Sequence, residues 1–92
     1  MNQEETSRTR LLLGDAALTR LAQARVALFG VGGVGGHCAE ALVRAGIGAL
    51  DVYDNDVVSP SNLNRQLVAL HSTLGQYKAE VMARRAADIN PD

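Results

Sequence analysis

The chain has 92 residues, of which 47% are hydrophobic and 21% are charged, a composition that is typical of globular proteins and excludes disordered and fibrous classes. Nine basic and ten acidic residues give a net charge of −1, which provides no electrostatic argument for nucleic-acid binding. No apolar run approaches the ~20 residues of a membrane span, and the single cysteine, Cys38, excludes an internal disulfide. We therefore expect a soluble, cytoplasmic protein.

The first half of the chain predicts helices and then a βαβ unit. Residues 8–24 contain good helix formers with leucines at helical spacing, and Gly14 is expected to separate two short helices. Residues 25–54 are typical of a buried parallel strand, a helix and a second strand. The helix has an apolar stripe that contains Val34, Cys38, Ala41, Leu42 and Ala45. Because Cys38 lies on this stripe, it is predicted to be a core residue.

A polar connection and further helices are predicted after the second strand. Ser59-Pro60 indicates a helix N-cap, and a short helix is expected over residues 61–70. Thr73 with Gln76 fits a capping box, which predicts the start of a last helix that runs to Ile89.

Together these elements predict an α/β chain. It consists of a helical leader (8–24), a βαβ unit (25–54) and a crossover loop with helices (55–90). Parallel sheets have several strands and are covered on both faces, whereas only two strands are predicted here. We therefore expect residues 1–92 to be the N-terminal part of a larger nucleotide-binding domain.

A glycine-rich loop lies between the first strand and the helix that follows it. The segment Gly30-Val31-Gly32-Gly33-Val34-Gly35 satisfies the pattern G-x-G-x-x-G. Glycines allow a tight turn and a close approach to phosphate, and the helix N-terminus favours negative charge. Asp54 follows the second strand, 19 residues after the pattern ends, where an acid accepts hydrogen bonds from ribose hydroxyls. The loop therefore predicts a nucleotide site, with a purely structural turn as the alternative; the residues concerned are Gly30, Gly32, Gly33, Gly35 and Asp54.

A nicotinamide dinucleotide is the commoner ligand of such loops, but the extra glycine Gly33 and the long polar segment after Asp54 favour a triphosphate. Arg65 lies well beyond the ribose acid, and its planar guanidinium suits phosphate oxygens; a solvated surface arginine is the alternative. Lys78 is the only lysine of the chain and is expected near the buried side of the last helix. Its ammonium suits a phosphate, with a snorkelling lysine as the alternative. Asp56 is predicted to hold ribose or hydrated magnesium, or to cap a turn.

Several ordered motifs recur together in one protein superfamily. They are Gly30-Val31-Gly32-Gly33-Val34-Gly35, Ala45-Gly46-Ile47-Gly48, Asp54-Asn55-Asp56, Ser61-Asn62-Leu63-Asn64-Arg65-Gln66, Gly75-Gln76-Tyr77-Lys78 and Ile89-Asn90-Pro91. On these motifs the chain resembles the ubiquitin-activating-enzyme-like adenylyltransferases of the ThiF/MoeB type over residues 8–92. Within that superfamily it is most similar to the tRNA threonylcarbamoyladenosine dehydratases, because Arg8-Thr9, Glu40-Ala41-Leu42 and Ala79-Glu80-Val81-Met82 are similar to theirs.

The resemblance implies a Rossmann-like fold and the ATP-dependent adenylation of a carboxylate. A substrate carboxylate attacks the α-phosphate of ATP, which gives an acyl-adenylate and pyrophosphate. In a dehydratase the activated carboxylate is then attacked intramolecularly, which closes a ring on the tRNA base. The implied cofactors are ATP and Mg²⁺, the aspartate that holds the metal is expected beyond residue 92, and no metal ligand is assigned within these residues.

Roles for individual residues also follow from the resemblance. It implies that Ser61 and Asn62 contact the nucleotide, and that Arg65 and Lys78 bind phosphates and act in catalysis. It also implies a homodimer in which Arg8 reaches into the site of the partner subunit. Arg10 stays an alternative for that last role.

Three other functions are compatible with parts of the sequence. An adenylyltransferase that activates a sulfur-carrier or ubiquitin-like protein shares every motif described above. A nicotinamide-dependent oxidoreductase rests on the glycine loop alone. A chain that is not an enzyme is the third alternative, and we expect these 92 residues to show no adenylation activity by themselves.

Overall fold

The computed structural model describes residues 1–92 and contains four α-helices and two β-strands. They follow the order α1 (Ser7–Leu13), α2 (Asp15–Gln23), β1 (Arg25–Phe29), α3 (Gly33–Ala45), β2 (Ala49–Tyr53) and α4 (Lys78–Ile89). Two 3₁₀ turns, Pro60–Asn62 and His71–Thr73, lie between β2 and α4. None of the helices is long and apolar enough to cross a membrane.

The two strands are parallel, as predicted. Arg25 pairs with Ala49 at one end of the sheet, and Phe29 pairs with Tyr53 at the other. The helix α3 connects the strands, so the α/β class with two parallel strands flanked by helices is confirmed. Because the strands are parallel, their carboxyl ends meet at one edge, and the loops that follow β1 and β2 lie side by side.

One face of this sheet packs on the core and the other is exposed. Leu28, Leu50 and Val52 contact a core that contains Val31, Ala39, Val58, Val68, Ala69, Val81 and Met82. On the opposite face Phe29 and Tyr53 stack with ring centroids 4.9 Å apart, and they are 77% and 53% exposed. The prediction of a buried first strand is therefore wrong for Phe29, because α3 and α4 cover only one face of the sheet.

The helix α3 turns a different side towards the core than its apolar stripe predicts. Its buried residues are Gly36, Ala39 and Val43, whereas Val34 is 87% exposed and Cys38 is exposed. Small residues allow the helix to approach its neighbours closely, and this closeness decides which side is buried. The prediction of a core cysteine is wrong for this reason. The helix ends as expected, at Gly46, which adopts the left-handed conformation with φ +96°.

The crossover between β2 and α4 contains turns where a short helix was predicted. Within residues 60–70 only Pro60–Asn62 is helical, as one 3₁₀ turn. Ser59 is its N-cap residue, as expected, and donates its N–H and its hydroxyl to Oδ1 of Asn62. The guanidinium of Arg65 donates to the carbonyl of Ser61 and to the side chain of Asn64. Such local side-chain bonds compete with helix formation, which explains why the helix over residues 61–70 does not form.

The start of α4 also differs from the prediction, whereas its end at Ile89 agrees. Thr73 accepts a hydrogen bond from the N–H of Leu70 at 2.9 Å, so it closes the 3₁₀ turn that precedes the helix. Gly75 then reverses the chain with φ +83°, and α4 begins only at Lys78. The predicted capping box of Thr73 with Gln76 is therefore wrong, because the hydroxyl of Thr73 is bonded within the 3₁₀ turn that precedes α4.

Candidate nucleotide-binding site

The glycine loop lies at the carboxyl end of β1, immediately before α3. Gly30 has φ +91° and donates its N–H to the carbonyl of Tyr53 at 2.8 Å. No side chain caps the N-terminus of α3, whose N-cap residue is Gly32. A Cβ on Gly35 would lie 2.9 Å from the carbonyl carbon of Gly30 and closer still to its oxygen. The last glycine therefore permits the contact between helix and strand, and the free N–H groups of the first turn provide an anion site.

Asp54 connects the ends of the two strands. Its Oδ2 accepts the N–H of Val31 in the glycine loop at 2.9 Å, and its Oδ1 accepts the N–H of Asp56 at 2.8 Å. Burial raises the pKa of Asp54, but these two N–H donors and the positive charge of Lys78 together outweigh burial and hold the pKa below its usual value. The side chain is therefore a carboxylate at neutral pH, and it retains lone pairs that can accept ribose hydroxyls.

The crossover segment packs directly on the glycine loop. A Cβ on Gly33 would lie 3.9 Å from the stem of Arg65, and a Cβ on Gly32 would lie 3.7 Å from Nε2 of Gln66. Larger residues at either glycine would come between the loop and these side chains. The fold thus brings the predicted phosphate arginine to the predicted phosphate loop.

Lys78, the first residue of α4, is buried beside this site. Only 7% of the residue is exposed, and its ammonium, which reaches solvent, makes no hydrogen bond or ion pair within the chain. Its backbone N–H donates to the carbonyl of Asp56 at 3.0 Å, and Val57 pairs with Tyr77 in an antiparallel bridge. These contacts hold the start of α4 against the end of β2, so Lys78 approaches Asp54 closely enough for its charge to lower the pKa of that acid.

Three other predicted residues occupy the same region with different environments. Asn62 is buried, and its Oδ1 is already bonded to the N–H and hydroxyl of Ser59 at 2.9 and 3.1 Å. Ser61 and Asp56 are exposed. Contact between these side chains and a nucleotide stays a prediction.

Arg8 does not join this group in a single chain. It is exposed on α1, a helix that packs against α2. The alternative candidate, Arg10, is tied down by Asp15 at 2.6 Å and by the hydroxyl of Thr6 at 3.2 Å. Of the two arginines, Arg8 is therefore the one whose guanidinium is available to another molecule.

No group of three or more metal-ligating side chains lies close together in the chain. Both oxygens of Asp54 already accept backbone N–H groups, and Asp56 stands alone as a further carboxylate. The role of Asp56 towards hydrated magnesium stays a prediction, and we assign no step to the metal.

One residue that sequence analysis did not assign also belongs to the site. Gln66 is 8% exposed, and its Oε1 is buried without a hydrogen-bond partner. Its position directly after Arg65 indicates that it lies near the site. The sequence contains no feature that predicts the burial of its amide.

Comparison with known proteins identifies the family. The family model described as the ThiF family matches residues 6–92. The chain belongs to the ThiF family. This result agrees with the resemblance inferred from the motifs.

Several relatives of this ThiF-family chain are informative. The tRNA threonylcarbamoyladenosine dehydratase of Bacillus subtilis is 50% identical over 86 residues, which are 94% of this chain and 34% of the relative. The crystal structure of the E. coli dehydratase in complex with ATP superposes with a TM-score of 0.94 at 46% identity, covering 97% of this chain and 37% of that one. The Haloferax volcanii SAMP-activating enzyme E1 is 40% identical over 80 residues, 87% of this chain and 30% of the relative.

The superposition confirms the Rossmann-like fold. The chain spans about a third of the length of the curated relatives that it matches.

Proposed function

We propose that this chain is the nucleotide-binding part of an ATP-dependent adenylating enzyme, and that the enzyme is a tRNA threonylcarbamoyladenosine dehydratase of the cytoplasm. The observation that carries the proposal is Lys78, a largely buried residue whose ammonium makes no hydrogen bond or ion pair within the chain and lies close enough to Asp54 to lower the pKa of that acid. A cation beside an anion site favours a ligand of opposite charge. A triphosphate carries more negative charge than the pyrophosphate of a nicotinamide dinucleotide, so a site with both Lys78 and Arg65 favours the triphosphate.

In this proposal each element of the site has one task towards ATP. Asp54 accepts the ribose hydroxyls, and the free N–H groups at the start of α3 face the phosphates. Arg65 and Lys78 neutralise the negative charge that develops as pyrophosphate leaves. Lys78 is already in place, whereas the guanidinium of Arg65 must leave the carbonyl of Ser61 or share its donors with a phosphate.

The reaction then has two steps. A carboxylate oxygen of the substrate attacks the α-phosphorus, and the bond to the bridging oxygen of pyrophosphate breaks. An intramolecular nucleophile of the threonylcarbamoyl group then attacks the activated carbonyl, which closes the ring and releases AMP. The dehydratase is proposed because relatives that are 50% and 49% identical carry this name.

Activation of a ubiquitin-like or sulfur-carrier protein is the second candidate. It is supported by the 40% identity to the SAMP-activating enzyme E1. Assays on the protein that carries this chain distinguish the two. A dehydratase converts threonylcarbamoyladenosine in tRNA to its cyclic form with ATP, whereas the alternative enzyme exchanges pyrophosphate only when a carrier protein is present.

The two cations provide the sharper test of the adenylation step. We expect Arg65→Ala and Lys78→Ala each to slow adenylate formation by at least ~100-fold, the scale of losing a donor that stabilises developing charge. Arg20→Ala is the control, because Arg20 is exposed on α2. Rates of both site variants equal to that of the control would reject the assigned roles. Tight binding of NADH without binding of ATP would reject ATP as the ligand of the site.

The proposed homodimer has its own test. If Arg8 acts in the site of the partner subunit, an inactive Arg8→Ala protein mixed and refolded with an inactive Lys78→Ala protein regains activity. Each mixed dimer then contains one site with both residues intact. If mixed dimers form but the mixture stays inactive, Arg8 does not act in the site of the partner subunit.

We also propose that the 92 residues alone do not adenylate. One face of their sheet is exposed, with the stacked rings of Phe29 and Tyr53 in solvent. Parallel sheets are stable with both faces covered. Turnover by the isolated 92-residue chain would refute this.

A further inference from the structure

Gln66 has an environment that neither the motif nor the fold explains. The residue is 8% exposed, and its Oε1 is the single buried side-chain nitrogen or oxygen atom of the chain that lacks a hydrogen-bond partner. Buried polar atoms are almost always satisfied, so an exception at a candidate site has functional meaning.

Two hydrogen bonds hold the backbone of Gln66. The N–H of Gln66 donates to the carbonyl of Asn62, and its carbonyl accepts the N–H of Ala69, both at 3.0 Å. Its Nε2 faces the glycine loop, 3.7 Å from the place that a Cβ on Gly32 would occupy. Gly32 is the N-cap of α3, where the anion site lies.

We propose that Gln66 binds the phosphates of the nucleotide at the glycine loop. The amide nitrogen donates to a phosphate oxygen at Gly32, and the loop, drawn onto the phosphates, offers a backbone N–H to Oε1. The hydrogen bond that is missing in the nucleotide-free chain is thereby made on binding. This inference rests on the proposed ATP site and adds a neutral residue to its two cations.

The test compares Gln66→Met with wild type in the protein that carries this chain. Methionine matches glutamine in length and lacks its polar atoms, so it removes both bonds and keeps the volume. We expect ATP to bind ~10-fold more weakly, the scale of one or two hydrogen bonds to a phosphate. The melting temperature of the nucleotide-free variant should equal or exceed that of wild type, because no hydrogen bond of the side chain is lost. Gln23→Met, at an exposed position of α2, is the matched control and should change neither quantity.

The outcomes separate this inference from the proposed function. An unchanged ATP affinity in Gln66→Met, with affinity lost in Lys78→Ala, overturns the role of Gln66 alone. A lower melting temperature without nucleotide also overturns it, because Oε1 would then have a partner in the empty site. Failure of the wild-type protein to bind ATP rejects both proposals.

Discussion

Replacing Gly35 by alanine tests how the glycine loop is built. A Cβ at this position would lie 2.9 Å from the carbonyl carbon of Gly30 and closer still to its oxygen. Carbon atoms in contact are ordinarily 3.5 to 4.0 Å apart. The obstacle is the backbone at the end of β1, which cannot rotate aside as a side chain does, so α3 must move away from the strand.

We expect Gly35→Ala to destabilise the protein by about 3 kcal/mol, the upper part of the range for overpacking. Such a loss corresponds to a melting temperature lower by about 6 to 12 °C in a domain of ordinary size. Because the same movement displaces the anion site, ATP affinity should fall as well. Differential scanning fluorimetry with and without ATP measures both effects.

Gly36→Ala is the matched control for this experiment. A Cβ at Gly36 would lie 3.5 Å from the carbonyl oxygen of Val31, an ordinary contact, and alanine favours the helix by up to about 1 kcal/mol. The control should therefore melt at the same or a higher temperature. If Gly35→Ala melts like Gly36→Ala and binds ATP normally, the contact between helix and strand is not as described.

Two further predictions concern the carboxylates. Asp54→Asn places an amide where a carboxylate accepts the N–H groups of Val31 and Asp56, so ATP affinity measured by titration calorimetry should fall ~10- to 100-fold; unchanged affinity would contradict the assigned role. Glu40 pairs with Arg85 between α3 and α4, and this bond holds the pKa of Glu40 below its usual 4.5. An acid with a lowered pKa adds stability above its unfolded pKa and loses it as the pH falls through the folded pKa. Arg85→Met should therefore cost about 1 kcal/mol or less at neutral pH, since the arginine is partly exposed, and this difference should shrink below pH 4.5; a constant difference would contradict the pairing.

The features that depend on local sequence could be predicted. Both strands, the glycine loop and the end of α4 at Ile89 follow from short apolar runs, glycines and a terminal Asn90-Pro91. The burial of Lys78 was also predicted from its helical spacing to apolar neighbours. These signals lie within a few residues of the structure that they specify.

Features that depend on contacts distant in sequence could not be predicted. The buried side of α3 is chosen by the close approach of Gly36 and Ala39 to the core, which the apolar stripe through Cys38 does not reveal. The turns of the crossover are a different case, because the side-chain bond of Arg65 to Ser61 is local but does not show in the spacing of apolar residues. The unsatisfied amide of Gln66 becomes visible only when the crossover lies on the glycine loop.

The affinity of the Lys78→Met variant for ATP, measured by titration calorimetry on the protein that carries this chain, tests the central claim most directly. Lys78 is largely buried and its ammonium makes no hydrogen bond or ion pair within the chain, so methionine should leave the fold about as stable. ATP affinity should fall at least ~10-fold, because a charge-assisted bond to phosphate is lost. Equal ATP affinities of wild type and Lys78→Met would contradict the assignment of Lys78 to the phosphates.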